Sequence, residues 1–424
     1  MRICIVAEHA STRFGGEAIL PVHYFRLLRS RGLATWLVVH SRTRKELEEL
    51  FPHDLDRIRF IPDAWLQKVS FRLSTFLPRR LAEATCGVFN QAVTQLRQRK
   101  VVRELIRTEK IDIIHQPIPV APRVPSLLFG LGVPRVVGPL NGGMDYPPFL
   151  KSGESTITSA LVSIARRFSD LSNTIFPGKK HADVVLVANQ RTRRALPTGT
   201  SGRIIELPEN GVDLEVWREP DVQIPVTIPR FVFVGRLVDW KAVDIVIQAL
   251  KDCPGLTLEV IGDGPMLEPW RTMAAQLGVA KRIQFTGWLS QSECAARILT
   301  ATALVLPSIY ECGGAVVLEA MAMGKPVIAS NWGGPADYLD ASCGILVEPA
   351  SRDALVKGFA DAMQLLADSP AIARSMGAAG RERVVREFDW QKKIDRMIEI
   401  YTELAEQSVV SATSKDATMT NAPV

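Results

Sequence analysis

The chain has 424 residues, of which 47% are hydrophobic and 23% are charged, and its formal net charge is +6. This composition is typical of a globular protein and excludes a wholly disordered chain, and the length predicts two to three domains. No window approaches eighteen uninterrupted apolar residues, which excludes a membrane-spanning helix.

The charge is distributed unevenly along the chain. Residues 1–200 contain 30 Lys and Arg against 16 Asp and Glu, whereas residues 201–424 contain 21 against 29. A basic first half favours an anionic partner, and a phosphorylated compound or an anionic membrane surface fits. Nucleic acid is not expected as a partner, because no zinc-finger, helix-turn-helix or RNA-recognition signature is present.

The chain begins with a five-residue apolar run before Glu8, which predicts a first β-strand rather than a secretory signal. The six cysteines are scattered, without a C-x-x-C pair or metal-ligand spacing. They predict reduced thiols in a cytoplasmic protein, with peripheral attachment to the inner face of the cytoplasmic membrane as an open alternative.

Short apolar runs alternate with helical patterns along the whole chain, which is typical of parallel sheets covered on both faces. In the first half, the predicted strands are 3–7, 34–39, 111–115, 135–138, 184–188 and a short one at 203–207. In the second half, they are 231–234, 256–261, 283–285, 303–306, 326–329 and 344–347. We therefore expect an α/β fold with two Rossmann-like, doubly wound domains.

Turn-forming residues between positions 196 and 231 predict the domain boundary. We expect one domain over residues 1–207, a second over 208–387, a helix with one apolar face over 388–406 that crosses back to the first domain, and a disordered tail over 407–424.

Two segments of the first half, 65–81 and 157–180, mix apolar side chains at helical spacing with Lys and Arg. Trp65 and Val69 lie on one face of the first, and Lys179 and Lys180 belong to the second. Helices that pack into the core are one interpretation, and helices that dock in a lipid interface are the other. The sequence leaves both open.

The most informative stretch follows the predicted strand 303–306. It reads P-S-I-Y-E-C-G-G-A-V-V-L-E-A-M-A-M-G-K-P-V-I-A-S and contains Glu311, Gly313, Gly314 and Glu319. The glycines allow a close backbone approach, and the following helix presents free N–H groups, which favour an anion. If the stretch were fully helical, the glutamates would be about 12 Å apart, which suits two hydroxylated rings on either side of a diphosphate.

This stretch resembles the P-S-x-x-E-x-x-G-x-x-x-L-E-A-M-A-x-G-x-P-V-x-A-S motif of the retaining nucleotide-sugar glycosyltransferases of family 4. That resemblance implies the GT-B fold, two Rossmann-like domains facing across a cleft, and a UDP- or GDP-hexose donor. It also implies that Glu311 binds hydroxyls of the hexose and that Glu319 binds the ribose. The family often has Gly-Phe-Gly after the first glutamate, whereas this chain has Cys312-Gly-Gly.

Further positions correspond to the same family. Arg236 and Lys241 follow the predicted strand 231–234, and the family uses this pair to neutralise the leaving diphosphate; a solvated loop is the alternative. The other implied donor-binding positions are Gly235, Gly262 and Leu289, together with Gly15 and Gly16 in the first glycine loop. No D-x-D metal motif precedes a donor site, so no metal is expected, and no cofactor is expected either, because the nucleotide sugar is the substrate.

The first half is expected to meet the acceptor. His115 ends a predicted strand, and the family places a histidine of this region at the reaction centre, although a structural histidine is the alternative. Asn141 and Asp145 lie in a glycine-containing loop and are candidate acceptor contacts.

The resulting prediction is a metal-independent hexosyltransferase that acts on a lipid-linked or growing polysaccharide acceptor in cell-envelope or exopolysaccharide synthesis. A soluble small-molecule acceptor and a non-catalytic nucleotide-sugar-binding protein are the alternatives. An epimerase is disfavoured by the basic first half, and a phosphorylase by the lack of a recognisable pyridoxal-phosphate lysine.

Overall fold

The computed structural model describes residues 1–13, 16–74, 86–151, 170–218 and 228–419. Within these residues the chain forms two compact units. Unit one draws on the ranges 1–143, 170–209 and 394–419, and unit two draws on 144–151 and 210–393.

Unit one is built on a parallel sheet, of which seven strands lie in the described residues. The strands are β1 (Arg2–Val6), β2 (Ala34–His40), β3 (Ile58–Ile61), β4 (Ile113–Gln116), β5 (Arg135–Leu140), β6 (Val184–Val187) and β7 (Arg203–Glu206). Their order is β3-β2-β1-β4-β5-β6-β7, and Ile3 on β1 pairs with Thr35 on one side and Ile113 on the other. The inner strands are largely apolar and buried, because helices can cover both faces of a parallel sheet.

The helices of unit one are α1 (Leu20–Ser30), α2 (Arg44–Leu50), α3 (Trp65–Ser74), α4 (Val88–Glu109) and α6 (Gln190–Arg194). In α1, Pro21 lies in the first turn, where its missing N–H costs nothing. Tyr24, Phe25 and Leu28 on the same helix are fully buried, which fixes α1 to its unit.

Unit two has a parallel sheet in the order β10-β9-β8-β11-β12-β13. Its strands are β8 (Arg230–Val234), β9 (Thr257–Ile261), β10 (Ile283–Gly287), β11 (Ala303–Leu306), β12 (Val327–Ser330) and β13 (Gly344–Val347). Its helices are α5 (Pro148–Lys151), α7 (Val243–Ala249), α8 (Leu267–Gln276), α9 (Gln291–Leu299), α10 (Ala315–Ala322), α11 (Gly334–Tyr338), α12 (Arg352–Asp368) and α13 (Pro370–Arg383).

Both strand orders reverse at one point, between β1 and β4 in unit one and between β8 and β11 in unit two. In open α/β sheets, ligands bind outside the carboxyl ends of the strands at such a switch point. The loops after β8 and β11 are therefore the expected ligand-binding loops of unit two. These two sheets confirm the predicted fold class of doubly wound α/β units.

The last helix, α14, runs from Trp390 to Met419, and from Ile394 onward it belongs to unit one. Ile394, Met397 and Tyr401 are fully buried there, as the apolar spacing predicts. The helix continues well past the predicted end near residue 406, into the segment expected to be disordered. No glycine or proline occurs between 407 and 419 to stop it.

Two further expectations need correction. Strand β3, at the edge of the sheet, was missed because Arg59 interrupts the apolar run of its four residues, Ile-Arg-Phe-Ile. Both interpretations of the segment 157–180 leave its cations outside the core, but Lys179 is 2% exposed, and its ammonium donates to the Ala121 carbonyl. Burial lowers the pKa of Lys179 to about 7. Residues 75–81 and 157–169 of the two amphipathic segments lie outside the described residues.

Candidate functional site

The loop after β8 carries the two predicted cations. Arg236 is exposed, and Lys241 ends a short 3-10 helix, Asp239–Lys241. Ala242 follows with a positive φ of 50°, a conformation that favours glycine and that leads directly into α7. The cations therefore lie on a tight turn at the carboxyl end of the central strand.

The loop after β11 lies beside this turn. The Ile309 N–H donates to the Trp240 carbonyl over 3.0 Å. Two residues farther on, the Glu311 carboxylate forms an ion pair with the Lys241 ammonium, and the two side chains are only 15% and 16% exposed. The structure thus brings together the residues predicted to bind the hexose and the diphosphate, on either side of the switch point.

Gly262 and Gly264 allow the loops after β8 and β9 to touch through their backbones. A Cβ on Gly262 would lie 1.9 Å from the Gly235 carbonyl oxygen, and one on Gly264 would lie 2.4 Å from that of Leu237. The Gly235 N–H donates to the Ile261 backbone carbonyl, and the Leu237 N–H donates to the Asp263 backbone carbonyl. No side chain fits between these loops, so the glycines fix the backbone on which Arg236 is mounted.

Gly314 is the N-cap of α10, with a positive φ of 80°, and no side chain caps this helix. The Val317 N–H of the first turn donates to the Gly314 carbonyl. The first N–H groups of a helix otherwise lack a carbonyl partner four residues earlier, so together with the helix dipole they favour an anion beside Gly313 and Gly314. The Gly314 backbone also lies against the Glu311 side chain, because a Cβ there would be 3.2 Å from the Glu311 Cγ.

A second glycine pair, which the sequence analysis missed, supports this loop from beneath. The Gly334 N–H donates to the Glu311 carbonyl over 2.7 Å, and a Cβ on Gly334 would lie 1.9 Å from the Gly313 oxygen. Gly333 has a positive φ of 73°. The signal was available, because Gly-Gly-Pro follows the buried strand β12 at the same sheet edge.

Glu319 lies in the second turn of α10 and is half-buried. Burial raises the pKa of its carboxyl to about 7. Glu319 in turn helps to raise the pKa of Cys294, after the larger effect of burial. Glu319 therefore lies near Cys294 of α9, whose thiol donates to the carbonyl of Leu289, two residues before that helix. Leu289 itself is half-buried and packs on the core of unit two.

The glycine loop of unit one is only partly described, since Gly15 lies outside the described residues. Gly16 is exposed and begins a short 3-10 helix, Gly16–Ile19. Ser11 and Thr12 precede this loop. The buried Glu46 accepts hydrogen bonds from the Ser11 hydroxyl and from the Thr12 hydroxyl and N–H. Glu46 thus anchors this loop, a role that the sequence did not suggest.

His115 is completely buried in β4 of unit one. Its Nε2 lies 2.7 Å from the Gly138 carbonyl oxygen, and its Nδ1 lies 2.7 Å from the Tyr401 hydroxyl. Because a carbonyl only accepts, Nε2 carries the proton, and in the neutral ring Nδ1 accepts from Tyr401. These contacts favour the structural histidine over the catalytic one that the family resemblance implied.

Asn141 and Asp145, the candidate acceptor contacts, fall in different units. Asn141 is buried, and its amide donates to the Glu209 carboxylate over 2.6 Å. Asp145 is exposed, and its carbonyl accepts from the Trp332 indole. Among the described side chains, no cluster of three His, Cys, Asp or Glu is arranged to hold a metal ion.

Comparison with known proteins agrees with this geometry. Residues 218–383 match the family model of the glycosyl transferases group 1. A glycogen synthase of Mycobacterium tuberculosis is 34% identical over 203 residues, which are 46% of this chain and 48% of the relative. A GDP-mannose-dependent alpha-(1-6)-phosphatidylinositol monomannoside mannosyltransferase of Mycolicibacterium smegmatis is 33% identical over 241 residues, or 52% and 62%. The chain thus spans about half the length of the first of these relatives and less than two thirds of the second.

The structural comparison covers the whole fold. The Anabaena protein HepE in complex with UDP superposes with a TM-score of 0.66 at 16% identity, over 95% of this chain and 100% of HepE. At this identity the likeness concerns the fold, and it supports the GT-B class.

Proposed function

We propose that this chain is a glycosyltransferase that takes a hexose from a UDP- or GDP-hexose and binds this donor on unit two. The observation that carries the proposal is the Lys241–Glu311 pair at the switch point of a Rossmann-like sheet. The family match over 218–383 covers this edge, and the solved HepE complex contains UDP.

In the proposed reaction, Glu311 accepts hydrogen bonds from hexose hydroxyls, while Lys241 and Arg236 neutralise the diphosphate. The N–H groups of the first turn of α10 add dipoles of the same sign. The acceptor oxygen bonds to the anomeric carbon as the bond to the diphosphate oxygen breaks, and the acceptor proton passes to that oxygen. Attack on the same face retains the anomeric configuration, as in family 4. Neither a metal nor a cofactor is required, since the two cations stabilise the leaving group.

A thermal-shift panel of nucleotide sugars tests the proposal. Because a ligand that binds only the folded protein raises its stability by mass action, the cognate UDP- or GDP-hexose should raise the Tm. The cognate sugar and an acceptor extract should then release the nucleoside diphosphate, with EDTA present. Binding without any transfer would favour the non-catalytic alternative, and the lack of a shift with every sugar would overturn the proposal.

Donor binding should also depend on pH through Glu319. The ribose hydroxyls donate to a carboxylate, so the donor binds the deprotonated form. Because the pKa of Glu319 is about 7, affinity should rise about tenfold between about pH 6 and about pH 8. Isothermal titration at both pH values measures this. Glu319→Gln should bind more weakly at the higher pH and without the pH dependence; an equal wild-type affinity at both values would contradict the assignment.

The proposed acceptor is lipid-linked and presented at an anionic membrane surface, for which α3 provides the main support. This helix turns its polar side inward, where Gln67 is 1% exposed and donates to the Thr94 hydroxyl of α4. Its apolar side faces solvent, where Trp65 is 71% exposed and Leu66 and Val69 are also exposed. A helix oriented in this way gains free energy only when an apolar partner covers it.

The neighbouring helix α4 supplies the charge. Phe89, Leu96, Lys100, Arg103 and Arg107 recur at helical spacing along one exposed stripe, apolar at its first half and cationic at its second. Apolar anchors beside cations are typical of surfaces that bind anionic lipid. The mannosyltransferase relative is named for a phosphatidylinositol mannoside, which agrees with a lipid acceptor.

Trp65→Ser should therefore reduce co-sedimentation with vesicles of phosphatidylcholine and phosphatidylglycerol in equal parts by about tenfold, because a large apolar anchor is lost. Trp288→Ser is the matched control, because Trp288 is 66% exposed on unit two and should not contribute. Binding should weaken at high salt. Equal binding of Trp65→Ser and wild type, or dimerisation through Trp65 in the absence of vesicles, would contradict the membrane assignment.

A further inference from the structure

A short segment outside the catalytic motifs lies directly against the loop that follows β11 and carries Tyr310 and Glu311. We call this loop the donor loop. Residues 144–151 follow the glycine pair Gly142–Gly143, which belongs to unit one, and are themselves part of unit two. We call residues 144–149 the strap.

The first contact of the strap is aromatic. The rings of Tyr146 and Tyr310 have centroids 4.9 Å apart and are tilted by 37°. Tyr310 immediately precedes Glu311, the residue assigned to the hexose. Because Tyr310 is joined directly to Glu311, a shift of the Tyr310 ring would move the backbone that carries the Glu311 carboxylate, which is paired with Lys241.

The second contact reaches the adjacent loop, which follows β12. The Trp332 indole N–H donates to the Asp145 carbonyl over 2.8 Å. A Cβ on Gly333 would lie 2.5 Å from the Met144 sulfur, so Met144 packs directly on the glycine pair that supports the Glu311 backbone. The strap thus touches the donor loop itself and the loop after β12 that supports it.

The strap has little freedom to leave this position. Just before it, the Gly142 N–H donates to the Thr192 hydroxyl, and a Cβ on Gly143 would lie 2.6 Å from the Ala195 methyl. At its other end, Phe149, the last residue of the strap, packs against the core of unit two. Both ends are therefore fixed by contacts within their own unit, and the residues between them are held close to the loops they touch.

We propose that Tyr146 is a positioning residue for donor binding. It stacks on Tyr310 and holds the donor loop with the Glu311 carboxylate directed at the hexose. This inference rests on the proposed function, because it concerns the same donor site. Loss of the ring leaves the Lys241–Glu311 pair intact but gives the loop more orientations, so that donor affinity falls while the fold is retained.

The test compares Tyr146→Ala with Tyr146→Phe, which keeps the stacked ring. Since an aromatic pair contributes modestly beyond its buried area, Tyr146→Ala should raise the KM and Kd for the cognate nucleotide sugar about three- to tenfold, and Tyr146→Phe should restore them. Leu150→Ala is the control, since this exposed side chain lies on the same segment. The Tm of each variant is compared with that of wild type. A loss of donor affinity at an unchanged Tm indicates positioning, whereas a lowered Tm indicates loss of structure.

Tyr310→Ala should weaken donor binding to the same extent, and the double variant should lose no more than either single one, because the two rings act as one unit. Additive losses, or wild-type affinity in Tyr146→Ala, would overturn the role of the strap. If the wild-type protein binds no nucleotide sugar, the proposed function fails instead, and the two failures are thereby distinguished.

Discussion

Replacing Lys241 with alanine is expected to lower kcat/KM by about 10²–10³-fold. The ammonium is one of the two cations assigned to the leaving group, and removal of a preorganised charge or donor from a transition state has effects of this size. The change also leaves Glu311 without its ion-pair partner in a largely buried position, so donor affinity should fall as well. Steady-state kinetics with the cognate donor, once the panel has identified it, measures both effects.

Lys251→Ala is the matched control, because Lys251 is exposed on the same unit, in the 3-10 helix Leu250–Asp252 that follows α7. It should retain wild-type kinetics. Lys241→Arg should recover part of the activity, since the charge remains but its geometry changes. A Lys241→Ala enzyme with the kinetics of wild type would remove Lys241 from the mechanism and with it the central observation behind the proposed function.

Gly262→Ala is expected to have the largest effect on stability among the site residues. The new Cβ would overlap the Gly235 carbonyl oxygen at 1.9 Å, and the backbone has a positive φ of 134°. Backbone strain and overpacking together should lower the free energy of unfolding by about 2–5 kcal/mol. Donor affinity should fall too, because the loop that carries Arg236 must shift. Chemical denaturation and donor titration measure the two consequences.

Gly278→Ala separates the strain from the clash. Gly278 also has a positive φ, of 71°, but a Cβ there would meet no atom within 4 Å. Gly278→Ala should therefore lower the free energy of unfolding by only about 1–2 kcal/mol, through backbone strain alone, and should leave donor binding unchanged. If Gly262→Ala were no more destabilised than Gly278→Ala, the close backbone contact between the loops after β8 and β9 would not be a constraint on the site.

Much of the donor site was predictable because its parts are local. Glu311, Gly314 and Glu319 lie within nine residues of one another, and Arg236 and Lys241 lie on one turn after a buried strand. The carboxyl ends of parallel strands lie at one edge of a doubly wound sheet. Residues that directly follow two such strands were therefore expected at the same edge. The meeting of Lys241 with Glu311 depends on the pairing of β8 with β11, which the alternation of strands and helices favoured but did not specify.

The roles of several polar residues were less predictable. His115 was assigned by resemblance to the reaction centre, yet Tyr401, 286 residues farther along the chain, occupies its Nδ1. Lys179 lies in a segment with the spacing of an amphipathic helix, yet it is buried and its ammonium donates to the Ala121 carbonyl. Whether a polar side chain faces solvent or a distant backbone group depends on contacts that a local pattern does not contain.

The sequence by itself determined the α/β class, the approximate strand positions and the residues of the donor motif, because hydrophobic periodicity and glycine-rich turns act over a few residues. The tertiary structure alone decided which of those residues touch, that Gly333 and Gly334 support the donor loop, and that Tyr146 stacks on Tyr310. These contacts join strand ends and loops far apart in the chain, and the free energy that selects them comes from packing and buried hydrogen bonds, which only the folded arrangement creates.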